Sequence, residues 1–158
     1  MSSIAYLDTS AFLRIFLDEP DSDQVSKALQ GPTEIFALRL VLTEARVTLA
    51  RLKRSGRISQ EEYRQLLESV ALYWETEIQC MEMDEKVFDS AEHMAEIQPG
   101  LRTLDALHVG AARVLRKDMR PEQVVFIGCD QRLVRSAATI GMQVLPELAA
   151  GPGGGAEA

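Results

Sequence analysis

Two short apolar runs near opposite ends of the chain, Ile4-Ala5-Tyr6-Leu7 and Val124-Val125-Phe126-Ile127, each lead into an aspartate, Asp8 and Asp130. A short apolar run bounded by turn residues has the length and character of a strand buried on both faces. Such strands belong to parallel sheets covered by helices, because a half-wet antiparallel strand alternates apolar and polar residues. The segments between the two runs read accordingly. Ser10 is placed to cap a helix from Ala11 to Leu17, stopped by Asp18-Glu19-Pro20, and Asp21 to Gln30 forms a second short helix closed by Gly31-Pro32. Glu34 to Leu38 is a candidate strand. Ala45, Leu49 and Leu52 recur at helical spacing between Thr43 and Ser55, and Ser59-Gln60-Glu61-Glu62 is a capping box for a helix reaching about Trp74.

Glu77 to Met83 alternates and reads as a third strand, after which Asp84 caps a helix to about Ile97. Thr103 opens a helix with Leu104, Leu107, Ala111 and Val114 on its apolar stripe. A last helix runs from Asp130 to Ile140, and Met142 to Leu145 is a final strand. Strand–helix alternation of this kind predicts an α/β fold with a central parallel β-sheet flanked by α-helices in three layers. The expected organisation is one domain over 1–148 and a Gly-rich tail over 149–158 that buries too little surface to order itself.

Net charge is −7, from 17 Lys and Arg against 24 Asp and Glu. Bulk attraction to nucleic acid or an anionic membrane is therefore not expected, although a divalent cation in an acidic cleft reverses the sign locally. Cys80 and Cys129, the two cysteines, have neither zinc-ligand spacing nor a disulfide framework, and their apolar surroundings predict buried, reduced thiols. With no secretory signal at Met1 to Glu19 and no apolar stretch of membrane-spanning length, a cytoplasmic protein is expected.

Four acids stand out: Asp8, Glu44, Asp105 and Asp130. Each has a structural explanation, since Asp8 and Asp130 are placed as turn or cap residues and Glu44 and Asp105 favour the positive ends of helices opened by Thr43 and Thr103. Their placement argues for more. Asp8 and Asp130 lie at the carboxyl ends of predicted parallel strands, where open α/β sheets hold their ligands, and helices following strands begin at that same edge. Several carboxylates in one crevice repel unless a cation joins them. Oxygen donors suit Mg²⁺ or Mn²⁺ rather than zinc, and such an ion supplies the chemistry of phosphodiester cleavage.

The stretches Leu7-Asp8-Thr9-Ser10-Ala11, Leu42-Thr43-Glu44-Ala45, Thr103-Leu104-Asp105-Ala106-Leu107-His108 and Asp130-Gln131-Arg132-Leu133 resemble the PIN-domain ribonucleases, and most of all their bacterial VapC-type toxins. Order, spacing and flanking residues agree from about residue 4 to 146. The resemblance implies a PIN-like fold and Mg²⁺- or Mn²⁺-dependent cleavage of a structured RNA such as tRNA or rRNA. It also implies a cognate antitoxin protein that reaches the acidic site. Asp8, Glu44, Asp105 and Asp130 match the family's metal-binding acids, and Ser10 a hydroxyl beside the first. Many relatives carry Thr or Ser two residues before the last acid, where this chain has Gly128, so a supporting hydrogen bond is not expected from that position.

Among the remaining candidates, His108 lies one helical turn beyond Asp105 and reads either as a ligand or base or, more simply, as a packed histidine. His93 has less to recommend it. Arg46, Arg51, Lys53, Arg54 and Arg57 form a basic cluster that suits RNA phosphates or a solvated helix end equally well. Met81 and Met83 read as strand packing. Tyr73 and Trp74 suit core packing or a dimer or antitoxin interface. Rival functions are a phosphatase of the haloacid dehalogenase type, which needs an acid where Ser10 stands, a non-cutting PIN-like scaffold, and an RNA-processing nuclease. The compact length favours a toxin over the last of these.

Overall fold

Strand β1 (Ile4–Leu7) lies at the middle of a five-stranded sheet in a computed structural model that describes residues 3–120 and 123–147. The other strands are β2 (Glu34–Leu38), β3 (Ile78–Met81), β4 (Val124–Ile127) and β5 (Gln143–Leu145), in the order β3-β2-β1-β4-β5. All pairings are parallel, with Tyr6 opposite Phe36 on one side and Phe126 on the other. The chain moves outward from β1 through β2 to β3, then returns to lay β4 against the other edge of β1. Strand order thus reverses between β1 and β4, the place where such sheets open a ligand crevice at their carboxyl edge.

Seven helices lie among the described residues: α1 (Thr9–Arg14), α2 (Ser22–Ala28), α3 (Leu40–Arg54), α4 (Gln60–Glu77), α5 (Glu85–Ile97), α6 (Thr103–Asp118) and α7 (Gln131–Thr139). The pleat sends alternate side chains to opposite faces. Ala5, Leu7, Ile35, Ala37, Val125 and Ile127 meet Phe12, Val41, Leu49 and Val70 from α1, α3 and α4. Tyr6, Leu38, Val124 and Phe126 meet Val87, Met94, Val109 and Leu133 from α5, α6 and α7. The expected three-layer α/β/α arrangement is met, and it explains why both faces of β1 and β4 are apolar. Full burial of one such large side chain contributes about 1.5–3 kcal/mol.

Several boundaries depart from the sequence reading. Asp8, not Ser10, caps α1, its carboxylate accepting from the Ala11 N–H, and α1 starts at Thr9. Helix α3 begins at Leu40 rather than near Thr43, because burying Val41 and Leu42 outweighs the capping signal, while the Arg39 N–H is satisfied by the Met81 carbonyl. Glu44 consequently lies in the second turn of α3, and Thr43 is an ordinary exposed helix residue. Helix α4 continues past Trp74 to Glu77 behind the expected capping box of Ser59 and Glu62. Cys80 is exposed on the edge strand β3 and Cys129 is half-buried, so the expectation of two buried thiols is overturned, although both are free. Tyr73 and Trp74, both partly buried, pack edge-on against Phe12, as the core-packing reading expects. Met81 and Met83 pack against the core as expected. Arg46, Arg51, Lys53, Arg54 and Arg57 are exposed on and just after α3, with the Lys53 ammonium 5.0 Å from the Tyr63 ring centroid. The Gly-rich tail lies outside the described residues. Among the described residues, no helix is long and apolar enough to cross a membrane.

Candidate active site

Asp8, Glu44, Asp105 and Asp130 line one crevice of about 370 Å³ at the carboxyl edge of the sheet, shared with Ser10, Arg102, Leu104, His108 and Leu133. Each layer contributes. Asp8 follows β1 directly and Asp130 follows β4, Glu44 comes from α3 over one face, and Asp105 comes from the first turn of α6 over the other. A larger cleft between α5 and α6 has a mixed lining that includes Lys86, Asp89, His93, Arg113, Lys117 and Asp118, without the four converging acids.

Asp8 is only 1% exposed. Its Oδ1 accepts from the Ala11 N–H at 2.8 Å and the Ser10 hydroxyl at 2.7 Å, while its Oδ2 is buried without a partner. Burial pushes this carboxyl up to about 6, opposed by the Ala11 and Ser10 hydrogen bonds and the nearby His108, and helped by the charge of Asp130. Ser10 does more than hold Asp8, for its oxygen also accepts from the Cys129 N–H at 2.8 Å and the Asp130 N–H at 3.0 Å. One hydroxyl therefore ties the ends of β1 and β4 together across the crevice.

Gly128 explains the space around Asp8. A Cβ at this position would stand 2.5 Å from Asp8 Oδ2 and 2.9 Å from the Phe126 ring. Any side chain here would require Asp8 to move, and the hydroxyl that supports Asp8 comes from Ser10.

Glu44 Oε1 accepts from the Thr9 hydroxyl at 2.8 Å and lies 2.7 Å from His108 Nε2. Burial pushes the Glu44 carboxyl up, but the hydrogen bond and charge of His108 and the Thr9 hydroxyl outweigh it, and the net shift is downward. Asp130 caps α7, its Oδ1 accepting from the Arg132 and Leu133 N–H groups. Asp105 Oδ2, like Asp8 Oδ2, is buried without a hydrogen bond, and the nearest guanidinium, on half-exposed Arg132, stands 3.9 Å away.

All five residues singled out from sequence thus share the crevice. Sequence reasoning undervalued His108 and missed Tyr6 and Thr9. His108 is buried, with Nδ1 2.8 Å from the Tyr6 hydroxyl. Its position one turn beyond Asp105 was the available signal; nothing local announces the partners that reach it from β1 and α3.

The donor set fits a hard divalent cation. Among the described residues, no three His, Cys, Asp or Glu side chains enclose an ion on their own. Mg²⁺ is usually held by one or two carboxylates, with waters and substrate phosphate completing its shell. Two buried carboxylate oxygens without a hydrogen-bond donor, Asp8 Oδ2 and Asp105 Oδ2, are groups that such an ion would satisfy, since burying a carboxylate unpaired is costly.

A sequence model of the PIN domain matches residues 5–119. Ribonuclease VapC46 of Mycobacterium tuberculosis is 29% identical over 140 residues, covering 89% of this chain and 95% of that protein. Among solved structures, FitAcB from Neisseria gonorrhoeae superposes with a TM-score of 0.62 at 15% identity, covering 89% of this chain and 95% of its own. VapC20 of Mycobacterium tuberculosis, described as a Sarcin-Ricin loop cleaving toxin, gives a TM-score of 0.61 at 13% identity, covering 87% and 95%. These two structures share the fold, and the sequence match reaches further, because it spans more than half of the chain, including Asp8, Glu44 and Asp105. The chain belongs to the PIN domain family.

Proposed function

We propose that the protein is a Mg²⁺- or Mn²⁺-dependent endoribonuclease, the toxin of a VapBC-type pair, which cuts a structured cytoplasmic RNA such as tRNA or rRNA. The observation that carries this reading is the pair of buried, unpartnered oxygens, Asp8 Oδ2 and Asp105 Oδ2, in a crevice lined by four acids at the reversal of strand order. Asp8 and Asp105 would hold the cation, with Glu44 and Asp130 beside them. When bound, the ion supplies acidification of a water for attack on phosphorus and offsets the charge that develops on the phosphate. The residues of the chain hold that arrangement in advance. Ser10 fixes Asp8 against the β4 end, Thr9 and His108 fix Glu44, and the α7 amides fix Asp130. No serine or cysteine nucleophile is required. Arg102, which lines the crevice, and Arg132, 3.9 Å from Asp105 Oδ2, suit phosphate oxygens.

The same unpartnered carboxylates give a cognate antitoxin its target, a cationic side chain, best an arginine, inserted among them. The test incubates purified chain, free of any bound partner, with total cellular RNA in EDTA, Mg²⁺ or Mn²⁺, alongside Asp8→Asn. Discrete fragments that need the metal and vanish in the variant are expected, and sequencing their ends identifies the RNA. A folded protein that cuts nothing under any metal would instead be a non-cutting member of the family.

A further inference from the structure

Glu44 is held by a chain of contacts joining four elements. The Tyr6 hydroxyl of β1 stands 2.8 Å from His108 Nδ1 on α6, and His108 Nε2 stands 2.7 Å from Glu44 Oε1 on α3. Thr9 of α1 donates to that same oxygen at 2.8 Å. Oε1 thus accepts from the Thr9 hydroxyl and faces His108 Nε2, which donates to it whenever that nitrogen carries a proton, while no hydrogen bond reaches Oε2 among the described residues. Tyr6 is itself fixed, fully buried and stacked on Phe126 at 5.4 Å between ring centroids. His108 is 3% exposed, so its ring cannot turn toward water.

We propose that His108, aligned by Tyr6, is a positioning residue that locks the Glu44 carboxylate with Oε2 free for the cation or its water shell. The inference rests on the reading of the acids given above. The geometry holds in both imidazole states that keep a proton on Nε2. A neutral ring donates from Nε2 to Glu44 while Nδ1 accepts from the Tyr6 hydroxyl, and a charged ring still donates from Nε2 to Glu44. A glutamate has three rotatable side-chain bonds, and fixing them before the ion arrives removes that ordering cost from binding. Hydrogen-bond partners of ligating carboxylates act on a metal in this way. The competing explanation is a purely structural tie, in which His108 and Glu44 join the two helical layers across the sheet edge. A tie of that kind affects stability without affecting affinity for the ion.

The experiment measures Mn²⁺ binding to the full chain by electron paramagnetic resonance of the free ion, with thermal melts of the same samples. His108→Asn places its amide near the Nδ1 position and abandons Glu44, whereas His108→Gln reaches the Nε2 position and still donates. We expect His108→Asn to weaken Mn²⁺ binding about 10–100-fold and His108→Gln to restore most of it. Tyr6→Phe keeps the stacked ring and removes only the hydroxyl, so it should weaken Mn²⁺ binding in the same direction with little change in packing. Wild-type affinity in both His108→Asn and Tyr6→Phe, even with a lowered melting temperature, would overturn the proposal and leave the structural tie. Equal losses in His108→Asn and His108→Gln would overturn the hydrogen bond as its basis. Asp8→Asn is the reference: if it binds Mn²⁺ as tightly as the wild type, the assignment of the acids fails, whatever the histidine variants do.

Discussion

In the folded chain Asp8 titrates near 6 rather than at its ordinary 3.8, so the native state holds that proton more tightly than the unfolded state does. The sign follows directly: the contribution to stability is complete below the unfolded value and is lost as pH rises through the folded one. Between pH 4.5 and 7.5 the metal-free protein should lose about 2 kcal/mol through this group alone, at 1.36 kcal/mol per pKa unit. Urea midpoints in EDTA for the wild type and Asp8→Asn, compared across that window, should show the loss only in the wild type, and Mn²⁺ should reverse it. Parallel pH profiles would mean that Asp8 carries no such strain. Gly128 supplies the second residue-scale test. A Cβ there meets Asp8 Oδ2 at 2.5 Å, and with Phe126 on the other side neither neighbour yields easily. Gly128→Ala should therefore cost about 1–3 kcal/mol and weaken Mn²⁺ binding, whereas an unchanged melt would show that Asp8 relaxes freely. The acids were legible in the sequence because strand ends and helix starts share one edge of a parallel sheet. The role of His108 was not, since its partner Glu44 lies 64 residues away on another layer and helical spacing says nothing about what faces a side chain.

Helices α5 and α6 cross closely at Gly110, where a Cβ would lie 2.7 Å from the Ala91 backbone nitrogen. Helix propensity alone favours alanine there by about 1 kcal/mol, but the opposing atoms are backbone and cannot rotate away. Gly110→Ala should be a net loss of about 1–2 kcal/mol, read from urea unfolding, and it should also disturb the crevice, because α6 carries Asp105 and His108. A more stable Gly110→Ala protein would contradict the close crossing. The starts of α4, α5 and α7 were readable from their capping side chains, Ser59, Asp84 and Asp130. Others were misread where tertiary contacts decide. At α1 the Ser10 hydroxyl is drawn to Asp8 and to the Cys129 and Asp130 amides, so Asp8 takes over the cap. At α3 burial of Val41 and Leu42 extends the helix backwards past Thr43.

At the scale of the whole molecule, strand–helix alternation announced a parallel sheet but not its order, because many orders share the same alternation. The observed order places β1 beside β4, and this alone brings Asp8 and Asp130 together from distant parts of the chain. On the proposed function it also reconciles a net charge of −7 with a polyanionic substrate. A cation held by the acids at the crevice would in turn attract phosphate. Single-turnover cleavage of an RNA identified from total-RNA digestion tests whether the four carboxylates act as one site. Asp8→Asn, Glu44→Gln, Asp105→Asn and Asp130→Asn would each be compared with the wild type in Mn²⁺. The prediction is a loss of about 100-fold or more for Asp8→Asn and Asp105→Asn, a clear loss for the other two, and a cooperative melt for all four. Cleavage at the wild-type rate by folded Asp8→Asn or Asp105→Asn would contradict it.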